Sequence, residues 1–351
     1  TPIVIGLACA WRLAGDGHAV TLFDGAREAR EASWAAAGML APHHEATADD
    51  AVWRLGTASL ARWPAFAAAL GAELDVSFSG GLLPLITAAD QQVIDAKQRF
   101  LTAHGLSATW LDRHELSQRE PALHAAGALL VPGGRVDPRR LTQALRHACA
   151  ARHVDLRYGE AVSAILEGGL VVEDSSSPEK NSGTEHRCDL TVLANGAWTP
   201  ALAQLAGIAL EGEPVKGQLL RFGVADGVLR HFIHCHHAYL VPRAGAGVVV
   251  GSTMVWSGFD KTPDDDAIAE LAAQARRLLP TLRDAPISET WTGLRPRLRT
   301  GMPVLQRVRD DLIIATGHFR NGILLTPITA DAIAELAGGA SCGVDVSEYH
   351  L

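Results

Sequence analysis

The first two dozen residues constrain the fold more than any other stretch. TPIVIG (residues 1–6) is short, apolar and β-branched, and reads as a strand. LACAWRLAGDGH follows with apolar Leu7, Ala10, Trp11 and Ala14 at helical spacing, closing near Gly15 or Gly17. AVTLFD (residues 19–24) is a second apolar strand that ends in an acid. Strand, helix and strand at this spacing form a βαβ unit, which implies a parallel sheet. A dinucleotide-binding turn of that kind uses G-x-G-x-x-G, so that backbone amides and the helix N-terminus can meet a pyrophosphate. Here only Gly6 is present. Asp24 stands about twenty residues on, where such folds place an acid for the ribose. A strand-end acid in solvent is the plainer alternative.

Beyond that unit, helical patterns cover residues 50–70 and 90–104 and the segment PRRLTQALRHACAARH, with proline at its first turn. GGLLPLIT reads as a strand whose internal proline places it at a sheet edge. LRYGEAVSAILEGGLVVED and CDLTVLAN suggest a β-meander and then a buried strand, with residues 174–186 as a polar hairpin tip. KGQLLRF, HHAYLVPR and GVVVGSTMVW are strand-like, AIAELAAQARRLLP is helical, and DLIIATG leads into a final helix over residues 323–337. The order βαβ, β-rich, βα describes a nucleotide-binding domain interrupted by a β-rich insertion. Length agrees, since 351 residues make about two domains.

Composition excludes several classes. With 48% apolar and 20% charged residues the chain is neither disordered nor fibrous, and a net charge of −8 argues against a nucleic-acid footprint. The cysteines Cys9, Cys149, Cys188, Cys235 and Cys342 are odd in number and lack a CxxC, so they read as reduced thiols. Residues 190–210 carry no charge, but Asn195, Pro200 and Gln204 break them into strand, turn and short helix instead of a membrane span. No basic n-region or A-x-A site is visible, and the expectation is a cytoplasmic protein.

Two further segments suit a cofactor. SWAAAGMLAP offers small residues around Gly38 for close backbone approach to a flat ring or a phosphate, although plain helix explains small residues too. TGHFRNGILL follows the strand DLIIA as a glycine-containing turn into a helix, whose free amides suit an anionic ring edge, with Asn321 a candidate cap. Together SWAAAGMLAP, VLANGAWTP, YLVPR, GSTM, WTGLRPR and GHFRNGILL resemble, in order over nearly the whole chain, the FAD-dependent glycine oxidases of thiamine biosynthesis. These belong to the D-amino-acid oxidase and sarcosine oxidase superfamily.

The resemblance implies a mixed α/β (α+β) fold. A glutathione-reductase-type, Rossmann-like FAD domain (residues 1–75, 130–210 and 290–351) would hold an inserted substrate domain on an antiparallel sheet (residues 76–129 and 211–289). It implies non-covalent FAD and oxidation of glycine, sarcosine or small D-amino acids, with dioxygen reduced to hydrogen peroxide. Carried over, Arg295 and Tyr239 would bind the substrate carboxylate, Met254 and His237 would line the pocket, and Arg320 would sit beside flavin and substrate. Cofactor contacts would come from Gly6, Asp24, Ser33, Ala36, Gly38, Met39, Val162 (adenine), Ala194, Gly196, Trp198, Gly317, Asn321, Gly322, Ile323 and Leu324. A homotetramer, with neither nucleic acid nor membrane as partner, is part of the same expectation. A related D-amino-acid dehydrogenase, or a relative that has lost its cofactor, stands as the alternative.

Two departures from that pattern matter. Against something like IVIGAGVIGLACAWRLA, either the fingerprint's first glycines are replaced by Thr1, Pro2 and Ile3, or residues 3–6 are the strand and about five residues have dropped out. Either way weakened FAD binding is expected. Leu298-Arg299-Thr300-Gly301 keeps a turn glycine but loses an acid. His234-Cys235-His236-His237 is not read as a metal site, because alternate residues of a strand face opposite ways and no second pair at zinc spacing is near. His43-His44 reads as a loop, and Trp11, Trp53 and Trp63 as packing residues.

Overall fold

The computed structural model describes residues 4–26, 30–175, 183–235, 238–339, 341 and 343–351. The opening differs from the sequence expectation. Helix Val4–Gly15 begins inside the segment read as a strand, and Thr1, Pro2 and Ile3 lie outside the described residues. The reason is packing. Val4, Leu7, Ala8 and Trp11 continue one buried helical stripe back to the helix's first residue, against helices Pro138–Ala151 and Thr326–Leu336. That burial outweighs the weak helix propensity of Val4 and Ile5. Gly6 therefore sits in the first helical turn. The alternative that made residues 3–6 the strand does not hold for residues 4–6.

Strand Thr21–Asp24 forms as expected and pairs in parallel with Asp155–Tyr158, joining Asp24 to Tyr158 in register. Strands Glu160–Leu166, Gly169–Asp174 and Thr184–Arg187 make the antiparallel meander. Thr191–Leu193 pairs in parallel with Leu312–Thr316, which also pairs with Val304–Arg309. One apolar core joins the helices Val4–Gly15, Ala51–Leu70, Pro138–Ala151 and Thr326–Leu336 on this side of the molecule. Trp63 is its largest fully buried side chain, and Trp11 belongs to it as well. Asp50 caps the second of these helices by accepting from the Trp53 amide at 2.8 Å, and Asp137 caps the third through the Arg139 amide.

The rest of the chain is built on an eight-stranded sheet in the order Ile287–Leu298, Gly212–Phe222, Gly247–Gly251, Tyr239–Arg243, Phe232–His234, Gly81–Leu85, Gly127–Val131, Thr109–Asp112. It is antiparallel except where Phe232–His234 meets Gly81–Leu85. Gly81–Leu85 is thus an internal strand, not the edge its proline suggested. Its pairing with the neighbour stops at Leu82, so Pro84 has no strand on that side and breaks no ladder there. Helix Asp265–Leu278 covers one face of the sheet over a second core.

Three smaller expectations are corrected. The final helix runs Thr326–Leu336, and residues 322–325 precede it as turns. Asn321 does not cap it: the segment before the helix is a 3-10 turn, and Asn321 serves through its carbonyl, which accepts from the Leu325 amide. His43 and His44 lie buried in the one-turn helix Pro42–Glu45 instead of a loop. Gly301 does keep its turn, with φ +74° and its amide on the Leu298 carbonyl. Among the described residues no helix is long and apolar enough to cross a membrane.

Candidate active site

A cavity of about 270 Å³ opens where the large sheet meets the small-residue segment and the turn after Leu312–Thr316. It brings together, from segments far apart in sequence, Ser33, Ala36, Gly38, Met39, Ala194, Gly196, Tyr239, Met254, Arg295, Arg320, Asn321, Gly322 and Ile323. All of these were candidates from the sequence. Gly6, Asp24, Val162, Trp198, Gly317 and Leu324 are not part of its lining. His237 lies outside the described residues.

Arg295 sits on strand Ile287–Leu298 and reaches over the neighbouring strand. Its Nη1 donates to the Thr253 carbonyl at 3.2 Å and its Nη2 to the Ser252 hydroxyl. The fork is therefore held before any ligand arrives, the arrangement that suits two-point recognition of a carboxylate. Arg320, at the cavity rim, donates to Glu45 at 2.7 Å. Glu45 is the one carboxylate among the described lining residues, so an entering amine meets no free acid.

The small-residue segment is fixed from the sheet side. Trp291 Nε1 donates to the Ala35 carbonyl at 2.9 Å, and the buried Arg243 donates to that of Ala36 at 2.7 Å. Gly293 lets the helix Ala32–Ala35 come close, since a Cβ there would lie 2.5 Å from the Ala35 Cβ. On the far side the Leu324 carbonyl accepts from Ser59 at 2.6 Å and from Trp63 Nε1 at 2.9 Å, which anchors residues 322–325. Phe319 adopts φ +47°, strain of the sort that collects at binding turns.

Asp24 lies apart from the cavity lining, at the end of its strand, and is 1% exposed. Its Oδ1 accepts from the Ala26 amide, while Oδ2 is buried with no partner. Burial raises its pKa, against the Ala26 bond and the nearby Arg146 charge. Arg146 stacks over the Tyr158 ring at 4.6 Å, and its Nε and Nη2 also lack partners. Such unmet donors and acceptors in one place are costly unless a polar ligand meets them. A ribose, whose hydroxyls both donate and accept, fits the orphaned Asp24 oxygen.

Sequence reasoning missed Glu45, Ser252, Thr253, His318, Phe319, Gly217, Gly251, Arg146 and Tyr158. Ser252, Thr253, His318 and Phe319 lie inside motifs already singled out, so they were within reach. Arg146 and Tyr158 carried no signal in a single sequence. Burial pushes His318 down to about 4, as it does His43, and holds His44 well below its ordinary value. These imidazoles are neutral near pH 7. An unfolded histidine takes up its proton around pH 6.5, so between pH 6.5 and 4 the unfolded chain binds more protons than the folded one. Stability is expected to fall as pH drops through that window. His318→Gln flattens the decline, which melting curves of both proteins at several pH values check.

The described residues contain no group of three or more His, Cys, Asp or Glu side chains that could hold a metal ion. The fold joins a strand that ends in the orphaned Asp24 to a cavity at the large sheet, where the Arg295 fork is already held by Thr253 and Ser252. The chain belongs to the family of FAD dependent oxidoreductases, whose model matches residues 4–336. It is similar to the glycine oxidase of Pseudomonas aeruginosa, 33% identical over 99% of this chain and 95% of the relative. It is also similar to the bifunctional protein ThiO/ThiG of a Nostoc species, 33% identical over 99% of this chain and 53% of that protein. The crystal structure of glycine oxidase from Geobacillus kaustophilus superposes with a TM-score of 0.90 at 29% identity, covering 100% of this chain and 96% of that one. The expected mixed α/β flavoenzyme fold is therefore present, and the protein is an FAD-dependent oxidoreductase.

Proposed function

We propose that this chain oxidises glycine and small amines or D-amino acids such as sarcosine and D-alanine, in the formation of the thiamine thiazole. The observation that carries this reading is the Arg295 fork, held by Thr253 and Ser252 in a small cavity whose one acid is already paired with Arg320. Arg295 and Tyr239 bind the substrate carboxylate. With no free acid to hold an ammonium, the amine is bound neutral, its lone pair available as the α-hydrogen leaves. Fixing the carboxylate sets the distance and angle of that hydrogen, which is catalysis by positioning. Met254 and Arg320 close the pocket, and His237 belongs near it by resemblance.

For the cofactor, Asp24 would take the ribose, Val162 the adenine, Ala194 and Gly196 would flank the pyrophosphate, Gly38 and Met39 would approach the isoalloxazine, and residues 322–324 would face the pyrimidine edge. Gly6, Ser33, Ala36, Trp198, Gly317, Arg320 and Asn321 would complete its contacts. When bound, FAD accepts the hydride and passes two electrons to dioxygen. The domain division given above, a homotetramer and a cytoplasmic location belong to the same proposal; the core among the helices and the core between the large sheet and helix Asp265–Leu278 support two units, and a further cluster of Ala35, Ala37 and Ala41 with Leu219, Val249 and Trp291 joins them at the cavity.

A peroxide-coupled assay of the FAD-loaded protein with glycine, sarcosine and D-alanine tests the function. One hydrogen peroxide per substrate oxidised is expected. Flavin bleaching without peroxide in air would instead identify a dehydrogenase that uses another electron acceptor.

A further inference from the structure

Glycine in a strand interior weakens the strand, so its presence there calls for a reason. Gly217 lies inside, and Gly251 at the end of, internal strands of the large sheet. Neither is among the residues with positive φ, so a left-handed backbone is not the reason for glycine there. Space is the reason. A Cβ on Gly217 would lie 2.2 Å from both Nη1 and Nη2 of Arg295 and 2.4 Å from its Cζ. Being nearer to both terminal nitrogens than to the central carbon, it would sit at the open edge of the fork, the edge that pairs with a carboxylate. A Cβ on Gly251 would lie 2.5 Å from the Tyr239 hydroxyl oxygen and 2.6 Å from the ring, on the residue directly opposite Tyr239 in register.

We propose that Gly217 and Gly251 are specificity-determining positioning residues: their missing side chains seat the Arg295 fork and the Tyr239 hydroxyl for one small carboxylate. The inference rests on the reading of Arg295 and Tyr239 as carboxylate ligands. It extends that reading to two residues that touch no substrate themselves. Arg295 has little freedom to step aside, because Thr253 and Ser252 hold its two terminal nitrogens. A methyl at Gly217 must therefore push the fork out of its seat or take the place of a carboxylate oxygen.

The test uses FAD-loaded Gly217→Ala, Gly251→Ala, Arg295→Lys, Arg295→Gln and the double variant Gly217→Ala/Arg295→Lys. Acetate serves as a non-reacting carboxylate, titrated against the visible spectrum of the oxidised flavin. Gly217→Ala is expected to weaken acetate binding and raise KM for glycine about tenfold or more, the scale of an overpacked contact, with kcat within about threefold. Gly251→Ala acts in the same direction. In the double variant the alanine adds little to the effect of Arg295→Lys, because the narrower ammonium no longer meets the methyl. Unchanged acetate binding and KM in Gly217→Ala would overturn the proposal. So would an equal loss of kcat with glycine and with ethylamine, which lacks a carboxylate, together with a lower melting temperature, since that marks a purely structural role. If Arg295→Gln itself leaves acetate binding intact, the underlying reading fails and the inference goes with it.

Discussion

Arg295→Gln is expected to lower kcat/KM for glycine by about 30- to 4,000-fold while leaving bound flavin at the wild-type level. The magnitude follows from removing one member of a desolvated charge pair, which costs about 2–5 kcal/mol, at 1.4 kcal/mol per factor of ten. Most of the loss should appear in KM, because the carboxylate is held in the ground state and the transition state alike. A smaller part should appear in kcat, because a glutamine cannot hold the substrate at one fixed angle. Flavin content is spared because the recorded bonds of Arg295 go to Thr253 and Ser252, both on the sheet side. Arg295→Lys should fall between the two: it keeps the charge but cannot serve two acceptors in one plane. Steady-state kinetics with glycine, beside flavin absorbance per protein, measure both quantities. A KM unchanged in the glutamine variant would remove Arg295 from substrate binding.

Why Arg295 could be found in the sequence, while its seat could not, is a matter of range. WTGLRPR and GHFRNGILL are contiguous, and a contiguous motif survives in a single sequence. Gly217 is set against Arg295 by cross-strand register, which exists only once Gly212–Phe222 and Ile287–Leu298 have paired. The Glu45–Arg320 pair joins residues 275 apart in sequence, and the Trp291 bond to Ala35 spans 256. No local period encodes either. Strand Thr21–Asp24 and helices Ala51–Leu70 and Pro138–Ala151 were legible because each carries its own local pattern, and the two helices their own caps. The opening went wrong for the opposite reason. Val4 and Ile5 have strand propensity, and only their burial against two distant helices makes them helical. His43 and His44 read as a loop after Pro42; in the structure Pro42 opens a one-turn helix, His44 packs on Phe232 at 4.7 Å, and His43 accepts from Trp53 Nε1 at 3.1 Å.

Gly38→Ala is expected to cost the protein both stability and cofactor. Gly38 has φ +88°, and a Cβ there would lie 1.9 Å from the Val136 carbonyl oxygen and 2.9 Å from Pro138 Cδ. The nearer atom is backbone and cannot rotate away. Left-handed strain and an overpacked contact together come to about 3 kcal/mol or more. Relaxation has one direction open. Ala35 and Ala36 are held by Trp291 and Arg243, so the shift must fall on Gly38 and Met39 and lengthen the 2.9 Å bond from the Val136 amide to the Gly38 carbonyl. That displaces the ring-facing part of the cofactor seat, and the variant should purify with little flavin and a melting temperature several degrees lower. Gly71→Ala is the matched control. Gly71 also has positive φ, +60°, but it ends helix Ala51–Leu70 outside the cavity lining, and nothing lies within 4 Å of its Cβ position. It bears only the conformational strain, about 1 kcal/mol, and should stay yellow. If Gly38→Ala and Gly71→Ala lose flavin equally, left-handed strain and lost stability alone account for the loss. If only the first does, the close approach of Val136 is what shapes the seat.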